Sequence, residues 1–97
     1  MAVIITTSVP IKPDKLDEAI AFMRETLPDT RAYAGCQFLE ICQDKDTPGI
    51  LFSYSRWDSK EQYEKYVAWR TETGTMAAFG EFVDAPPVTT YNDRNDA

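Results

Sequence analysis

Residues 50–70, ILFSYSRWDSKEQYEKYVAWR, decide the fold, because a strand pattern passes directly into a helix pattern within them. Ile50 to Trp57 holds three aromatic residues and begins with a β-branched one, which predicts a strand. Ser59, with Gln62 three residues later, forms the sequence signature of a helix N-terminus. We expect this helix to end near residue 70. Its helical spacing places four residues on one face: Tyr63, Tyr66, Val67 and Arg70.

The segments upstream supply two further strands and a helix. Residues 3–9 are mostly β-branched and predict the first strand. Pro13 suits the first turn of a helix, whose apolar residues keep helical spacing as far as Leu27. Pro28 predicts a kink or a restart, and Gly35 ends the helix. Residues 36–43 then read as a second strand, which a Pro-Gly turn connects to the third.

The segments downstream complete an α+β domain. Residues 75–82 predict a short helical segment, residues 88–91 a last strand, and residues 92–97 a polar tail. The resulting order, β-α-β-β-α-β, is that of the ferredoxin-like split βαβ fold with a four-stranded antiparallel sheet. A chain of 97 residues suits one domain, so we expect a single domain over residues 1–97.

Large apolar side chains point to both faces of this predicted sheet, whereas a sheet with one wet face alternates apolar and polar residues. The opposing sets are Val3, Ile5 and Val9 against Ile4; Cys36, Phe38 and Cys42 against Leu39 and Ile41; and Ile50, Phe52 and Tyr54 against Leu51 and Trp57. Two helices cover one face only, so we expect the other to pair with a second copy as a homodimer. Simple exposure of a few apolar residues is the alternative.

Composition excludes several classes of function. The formal net charge of −6 repels phosphate backbones and anionic lipids, so we expect neither nucleic acid nor membrane as a partner. No signal peptide or transmembrane span is evident, which favours a cytoplasmic location. Cys36 and Cys42 are expected to be reduced. With no histidine in the chain, they give no metal-site spacing, and we expect no metal.

Three segments, in this order along the chain, resemble the antibiotic biosynthesis monooxygenase family of small dimeric α+β barrel proteins. They are VPIKPDKLDEAIAF at residues 9–22, TRAYAGCQFLEI at residues 30–41 and LFSYSRWDSKEQYEKY at residues 51–66. The likeness extends over residues 3–91 and implies a dimeric α+β barrel. It also implies oxygenation of a small aromatic substrate without a metal, flavin or haem cofactor.

Within that family, the chain is most similar to the quinone-forming branch, which oxidises polycyclic phenols. The pocket tryptophan of that branch, and the tyrosine six residues later, match Trp57 and Tyr63, which the resemblance marks as catalytic candidates. An arginine further along in that branch has no clear counterpart here. Many members carry a histidine at the position of Tyr66. The haem-degrading branch uses an asparagine, a tryptophan and a histidine, of which only Trp57 has a match.

The candidate site is therefore a ring-shaped slot beside Trp57. The Trp57 indole N–H and the Tyr63 hydroxyl are suitable donors to a phenolate or an oxygen anion, and Ser53 is a weaker candidate. Tyr66 is a further contact residue, although packing is its simpler interpretation, as it is for Trp69. Four side chains are candidates for the apolar wall, with ordinary core packing as the simpler interpretation: Phe22, Met23, Met76 and Phe79.

These residues lead to two main hypotheses, ahead of a lyase or isomerase on the same scaffold, which usually depends on a histidine that this chain lacks. The first is a cofactor-independent monooxygenase that oxidises a phenolic or quinol-type compound with O₂. The second is a non-catalytic dimeric module, binding a small ligand or serving in stress, on the same fold. The general base is the weak point, because no residue has an ordinary pKa near 7. Glu40 is either a buried carboxylate or, more simply, an ion-pair partner of Arg56.

Overall fold

Four strands and three helices follow one another in the order that the sequence predicts. The structure, a computed structural model, describes residues 2–95. The elements, in chain order, are β1 (Val3–Pro10), α1 (Leu16–Ala32, preceded by a 3₁₀ turn at Pro13–Lys15), β2 (Cys36–Gln43), β3 (Ile50–Trp57), α2 (Lys60–Glu72), α3 (Thr75–Gly80) and β4 (Val88–Asp93).

The strands form one antiparallel sheet in the order β2-β3-β1-β4. The first strand lies inside the sheet, where it pairs with β3 on one side and with β4 on the other. Helix α1 therefore connects β1 to β2 at the edge of the sheet, and β3 fills the position between these two strands. This is the split βαβ arrangement, and it confirms the α+β, ferredoxin-like prediction.

One face of the sheet forms the core, and we call it the covered face. From β1 it buries Val3, Ile5 and Val9, and from β3 it buries Leu51 and Trp57. These side chains make two clusters, one around Val9 and Leu51 near α1 and α3, the other around Val3, Ile5 and Trp57 near α2. Within residues 2–95, no helix has the length and apolar composition needed to cross a membrane.

The opposite face, which we call the open face, carries large apolar side chains that no other element contacts extensively. Phe38, Phe52 and Val88 are 45%, 36% and 63% exposed. The Phe38 and Tyr54 rings meet edge to face, with centroids 6.1 Å apart. Both faces of the sheet are therefore apolar in part, as the strand patterns predict.

A β-bulge between Cys36 and Phe38 changes the predicted faces of β2. Cys36 lies opposite Trp57 and packs against the covered face, whereas Phe38 lies opposite Arg56 on the open face. The prediction that Cys36, Phe38 and Cys42 share one face was therefore wrong, because the extra residue of a bulge reverses the alternation.

The expected ion pair between Glu40 and Arg56 does not form. Glu40 is exposed and lies opposite Tyr54, two residues along β2 from Phe38, which is the residue opposite Arg56. Among residues 2–95 the salt bridge is that between Lys15 and Glu18. Glu40 therefore lies away from the covered face and is no buried carboxylate.

Local signals fix the element boundaries, with small differences from prediction. Ser59 caps α2 by accepting a hydrogen bond from the Gln62 backbone N–H. The first helix continues through Pro28 to Ala32 without a restart, which was one of the two outcomes expected at Pro28. The last strand runs to Asp93, two residues into the predicted tail, of which residues 96–97 lie outside the described part.

Gly35 sets how closely β2 approaches α2. Its φ of +96° lies in the left-handed region, and a Cβ built there would lie 2.7 Å from the Cβ of Gln62. Its carbonyl accepts a hydrogen bond from the Asp58 N–H at 2.8 Å. A larger residue would be both strained and too close, so glycine permits the junction that brings Trp57 beneath α2.

Candidate active site

A cavity of about 170 Å³ lies between the covered face of the sheet and the helices. Its wall includes residues from β1, β2, β3 and all three helices. The structure brings together at this cavity all eight side chains that the sequence analysis singled out: Phe22, Met23, Ser53, Trp57, Tyr63, Tyr66, Met76 and Phe79.

Trp57 forms a rigid wall of the cavity and is fully buried. Its ring lies 5.0 Å from that of Tyr66 and meets that of Tyr63 edge to face at 5.4 Å, measured between centroids. The indole N–H donates to Ser55 Oγ at 3.1 Å, and the Ser55 hydroxyl donates to the Ile5 carbonyl at 3.3 Å. The indole N–H is therefore already used within the sheet, unlike the free donor that the sequence analysis expected.

Tyr63 projects from the first turns of α2 and is largely buried. Burial raises its pKa to about 12, the nearby Tyr91 and Tyr66 add to the rise, and a side-chain hydrogen bond with Thr7 offsets part of it. At neutral pH the phenol keeps its proton. Tyr63 can therefore donate a hydrogen bond into the cavity but cannot act as a base there.

Tyr66 belongs to a hydrogen-bonded cluster with Thr30 and Arg70, which we call the Arg70 cluster. The hydroxyl oxygens of Thr30 and Tyr66 are 2.7 Å apart. Arg70 Nε donates to Tyr66 Oη at 3.1 Å, and Arg70 Nη2 donates to Thr30 Oγ1 at 2.9 Å and to the Thr26 carbonyl at 2.7 Å. This cluster joins α2 to α1 along one side of the cavity.

The opposite end of the cavity is apolar. Phe22 on α1 contacts Phe79 on α3, with ring centroids 6.1 Å apart, and Met23 packs in the same cluster. Met76 is 39% exposed, so the cavity reaches the surface at α3. Ser53 lines the floor from β3, opposite Thr7 of β1. An aromatic ring would meet hydrocarbon and sulfur here, and hydroxyl groups beneath.

Sequence reasoning missed Arg70, Thr30 and Ser55 as lining residues. Each is polar and at least nine-tenths buried. Arg70 carried a usable signal, since it lies on the apolar stripe of α2 four residues after Tyr66. Thr30 and Ser55 carried none, because a threonine in a helix and a serine in a strand are commonplace.

The charge of the wall comes from Arg70. Among the lining residues within 2–95 there is no carboxylate and no lysine. In the same part of the chain, no group of three or more acidic or cysteine side chains is placed to hold a metal ion. The residues present can therefore stack an aromatic ring, donate hydrogen bonds and stabilise negative charge.

Solved structures with the same fold come from different organisms. A conserved protein from Methanosarcina mazei Go1 is similar with a TM-score of 0.89 at 16% identity, covering 98% of this chain and 94% of that one. A protein from Mycobacterium tuberculosis, Rv0793, reaches 0.87 at 21% identity, with 100% and 98% covered. At these identities the likeness shows the fold alone.

A structure described as an antibiotic biosynthesis monooxygenase is similar at a TM-score of 0.87 and 17% identity, covering 96% of this chain and 98% of that one. No curated protein matches the sequence significantly. The family model for antibiotic biosynthesis monooxygenase matches residues 2–85, which is most of the chain. By that match, the chain belongs to the antibiotic biosynthesis monooxygenase family.

Proposed function

We propose that this protein is a cofactor-independent monooxygenase that oxidises a phenolic or quinol-type aromatic compound with O₂. The observation that supports the proposal is the cavity itself, in which apolar walls face a protonated Tyr63 and a buried cation. A few fixed polar groups in an otherwise apolar cavity are typical of small-molecule sites.

The cavity volume limits the substrate. An apolar protein cavity of about 150 Å³ is enough to bind benzene, and the volume here is about 170 Å³. A single aromatic ring fits this space, and larger ring systems would need the opening beside Met76. Compact phenols are therefore the first substrates to test, before the polycyclic phenols that the family resemblance implies.

The proposed reaction needs no reductant other than the substrate. A phenol with a hydrogen on the opposite ring carbon reacts with one O₂ to give a quinone and one water. A new C–O bond forms at that carbon, and the O–O and C–H bonds break. The hydrogen from carbon and the phenolic hydrogen leave in the water, so the four electrons that reduce O₂ all come from the ring.

Each cavity residue has a part in this scheme. Tyr63 donates a hydrogen bond to the anionic oxygen that develops as the ring reacts, which is where a fixed donor gives the largest rate effect. Trp57 holds the ring from one side, and Phe22, Met23, Met76 and Phe79 hold it from the other. Ser53 and Tyr66 contact the ring from the floor and from α2.

The proposal includes a homodimer formed through the open face. Phe38, Phe52 and Val88 expose apolar area in three different strands, and the sheet of a second copy is the simplest cover for them. We also infer a cytoplasmic location, since Cys36 and Cys42 are both free thiols.

One observation favours a second candidate function, a non-catalytic module that binds a small ligand. Among the lining residues within 2–95, no carboxylate or imidazole is placed to take a proton from a substrate. Such a protein would bind the same compact aromatic ligands without consuming O₂.

Oxygen uptake separates the two candidates. Purified protein would be tested with compact phenols, 1-naphthol and anthrone, with quinone formation followed by absorbance and ¹⁸O₂ used to trace the new oxygen. We expect one quinone, carrying one labelled oxygen, for each O₂ consumed. Binding of these compounds without any oxygen uptake would favour the module.

The variant Tyr63→Phe tests the donor. We expect its turnover to fall about 100-fold, because removal of one hydrogen-bond donor to a developing oxyanion has effects of about that size. Tyr33→Phe is the matched control, since Tyr33 packs beside the same cluster but does not line the cavity. Equal turnover in the two variants, with equal melting temperatures, would remove Tyr63 from the mechanism.

A further inference from the structure

Arg70 is a buried cation with neutral partners. It is 5% exposed, and its three hydrogen bonds to the described residues go to two hydroxyl oxygens and one backbone carbonyl. The rings of Trp69 and Tyr66 lie 4.5 and 5.5 Å from its guanidinium carbon and supply some cation–π stabilisation.

No carboxylate in residues 2–95 compensates this charge. The salt bridge of this part of the chain joins two other side chains on the surface, and the cavity wall holds no acidic residue. Buried charges are normally paired, because an uncompensated charge loses its hydration without an equivalent gain. A guanidinium kept in such a place is ready to pair with an anion that arrives from outside.

The unused hydrogen-bond donors of the Arg70 cluster also indicate an anion site. Arginine has five N–H donors, and those on Nη1 make no hydrogen bond to residues 2–95. The Thr30 and Tyr66 hydroxyls share one hydrogen bond, so one of their two hydrogens is left to donate elsewhere. The cluster therefore has donors to spare and no acceptor for them, which is the composition of an anion site.

We propose that the Arg70 cluster binds an anionic oxygen of the aromatic ligand, so that the cavity takes its ligand as a carboxylate or a phenolate rather than as the neutral molecule. Arg70 lines the same cavity as Trp57 and Tyr63, so an aromatic ring between the walls can direct its oxygen to Nη1. Hydrophobic contact holds the ring, and the guanidinium makes binding of the anionic ligand stronger than binding of the neutral one.

For turnover, the inference rests on the proposed function and supplies what that function lacks. Electron transfer to O₂ is easier from a phenolate than from a phenol, yet the wall offers no base. A fixed cation beside a phenol favours its ionised form, which lowers the pKa of the phenol. The substrate can then lose its proton to water, and the missing base is not required.

The test measures binding, independently of turnover. Isothermal titration of the full chain would compare benzoate with benzamide, which has nearly the same shape without the charge. It would also compare 4-nitrophenol below and above the pH at which its phenolate forms. We expect benzoate to bind at least tenfold more tightly than benzamide, and 4-nitrophenol to bind more tightly above its ionisation pH. Preference for benzoate alone identifies a carboxylate ligand, and a response to 4-nitrophenol ionisation identifies a phenolate.

Two variants locate the effect. Arg70→Gln should reduce the benzoate-to-benzamide ratio to about one, whereas Arg24→Gln should leave it unchanged. Arg24 is the matched control, because it is exposed on α1, does not line this cavity and carries the same charge. Arg70→Lys retains a charge with fewer donors and should give an intermediate ratio if Arg70→Gln fails to fold.

Three results would each overturn the inference. The first is equal affinity of the wild type for benzoate and benzamide together with no response to 4-nitrophenol ionisation. The others are no binding of either anion and an unchanged benzoate-to-benzamide ratio in Arg70→Gln. Anion preference without oxygen uptake would leave this inference standing and reject the proposed function. Oxygen uptake without anion preference would support the proposed function and reject this inference.

Discussion

The two faces of the sheet both carry aromatic rings, but they use them differently. On the covered side, Trp57 of the sheet and Tyr66 of the overlying α2 are hydrogen-bonded to buried hydroxyl groups. On the open face, Phe38 and Phe52 have no polar atom and remain more than a third exposed. A hydrogen bond fixes the orientation of a tryptophan or tyrosine ring, whereas a phenylalanine ring on a flat surface is held only by the apolar contact it makes.

This difference separates the candidate site from the face that we propose as a dimer interface. Between the covered face and the helices, Ser55 of β3, Thr30 of α1 and Arg70 of α2 are buried among aromatic rings, and buried polar groups that are specifically bonded define a geometry. The open face offers apolar area with threonine and serine neighbours, which is suited to contact with another sheet. Apolar content alone did not distinguish the two faces; the placement of polar groups did.

The largest expected effect follows from removal of Trp57. Trp57→Ala should lower the free energy of unfolding by about 3–5 kcal/mol, since truncation of a fully buried aromatic residue leaves a cavity. Denaturant titration would measure the loss. Trp57→Phe keeps the ring wall and loses the bond to Ser55, so its loss should be clearly smaller. If both variants lost the same amount, the indole N–H rather than the volume of the ring would account for the stability.

A smaller effect on the fold, but a clear one on assembly, is expected from Phe52→Ser. Phe52 lies on the open face between Cys42 and Ser8, and the folded monomer should lose about 1 kcal/mol or less. Sedimentation should give twice the chain mass for the wild type and a shift toward monomer for the variant. Ala68→Ser, at an exposed position on α2, is the control. A wild-type monomer at micromolar concentration would contradict the dimer.

The smallest effect at neutral pH is expected from the ionisation of Tyr63. Its folded pKa of about 12 lies above the ordinary value of 10, so the unfolded chain loses this proton first as the pH rises. The stability that this group contributes is constant below about pH 10 and is lost between about pH 10 and 12. Alkaline unfolding of wild type and Tyr63→Phe would measure the difference. A wild-type curve that matches the variant over this window would contradict burial of Tyr63.

Much of this fold can be predicted from the sequence because its signals are local. Ser59 caps the predicted helix, and the strand patterns at residues 50–57 and 36–43 pair as expected. The bulge between Cys36 and Phe38 was not predicted, because the only nearby signal, Gly35, was interpreted as the end of the first helix. The unbroken run of α1 through Pro28 was not fixed by the sequence either, because a proline inside a helical pattern predicts either a kink or a restart.

The sequence predicts which side chains line the site, but not the hydrogen bonds among its polar groups. The eight predicted side chains line one cavity, because the strand and helix periods already place them on one side of the sheet. The use of the Trp57 N–H by Ser55, and the cluster around Arg70, depend on side-chain directions across three elements. A linear pattern does not encode those directions.

The bulge in β2 has a practical consequence for experiments on this protein. It leaves Cys42 exposed on the open face, while Cys36 is half-buried against the indole, where burial raises the pKa of its thiol. A maleimide dye or a spin label would therefore modify Cys42 first. The native chain thus carries an attachment point for spectroscopic probes on the open face of the sheet, with no engineered cysteine needed.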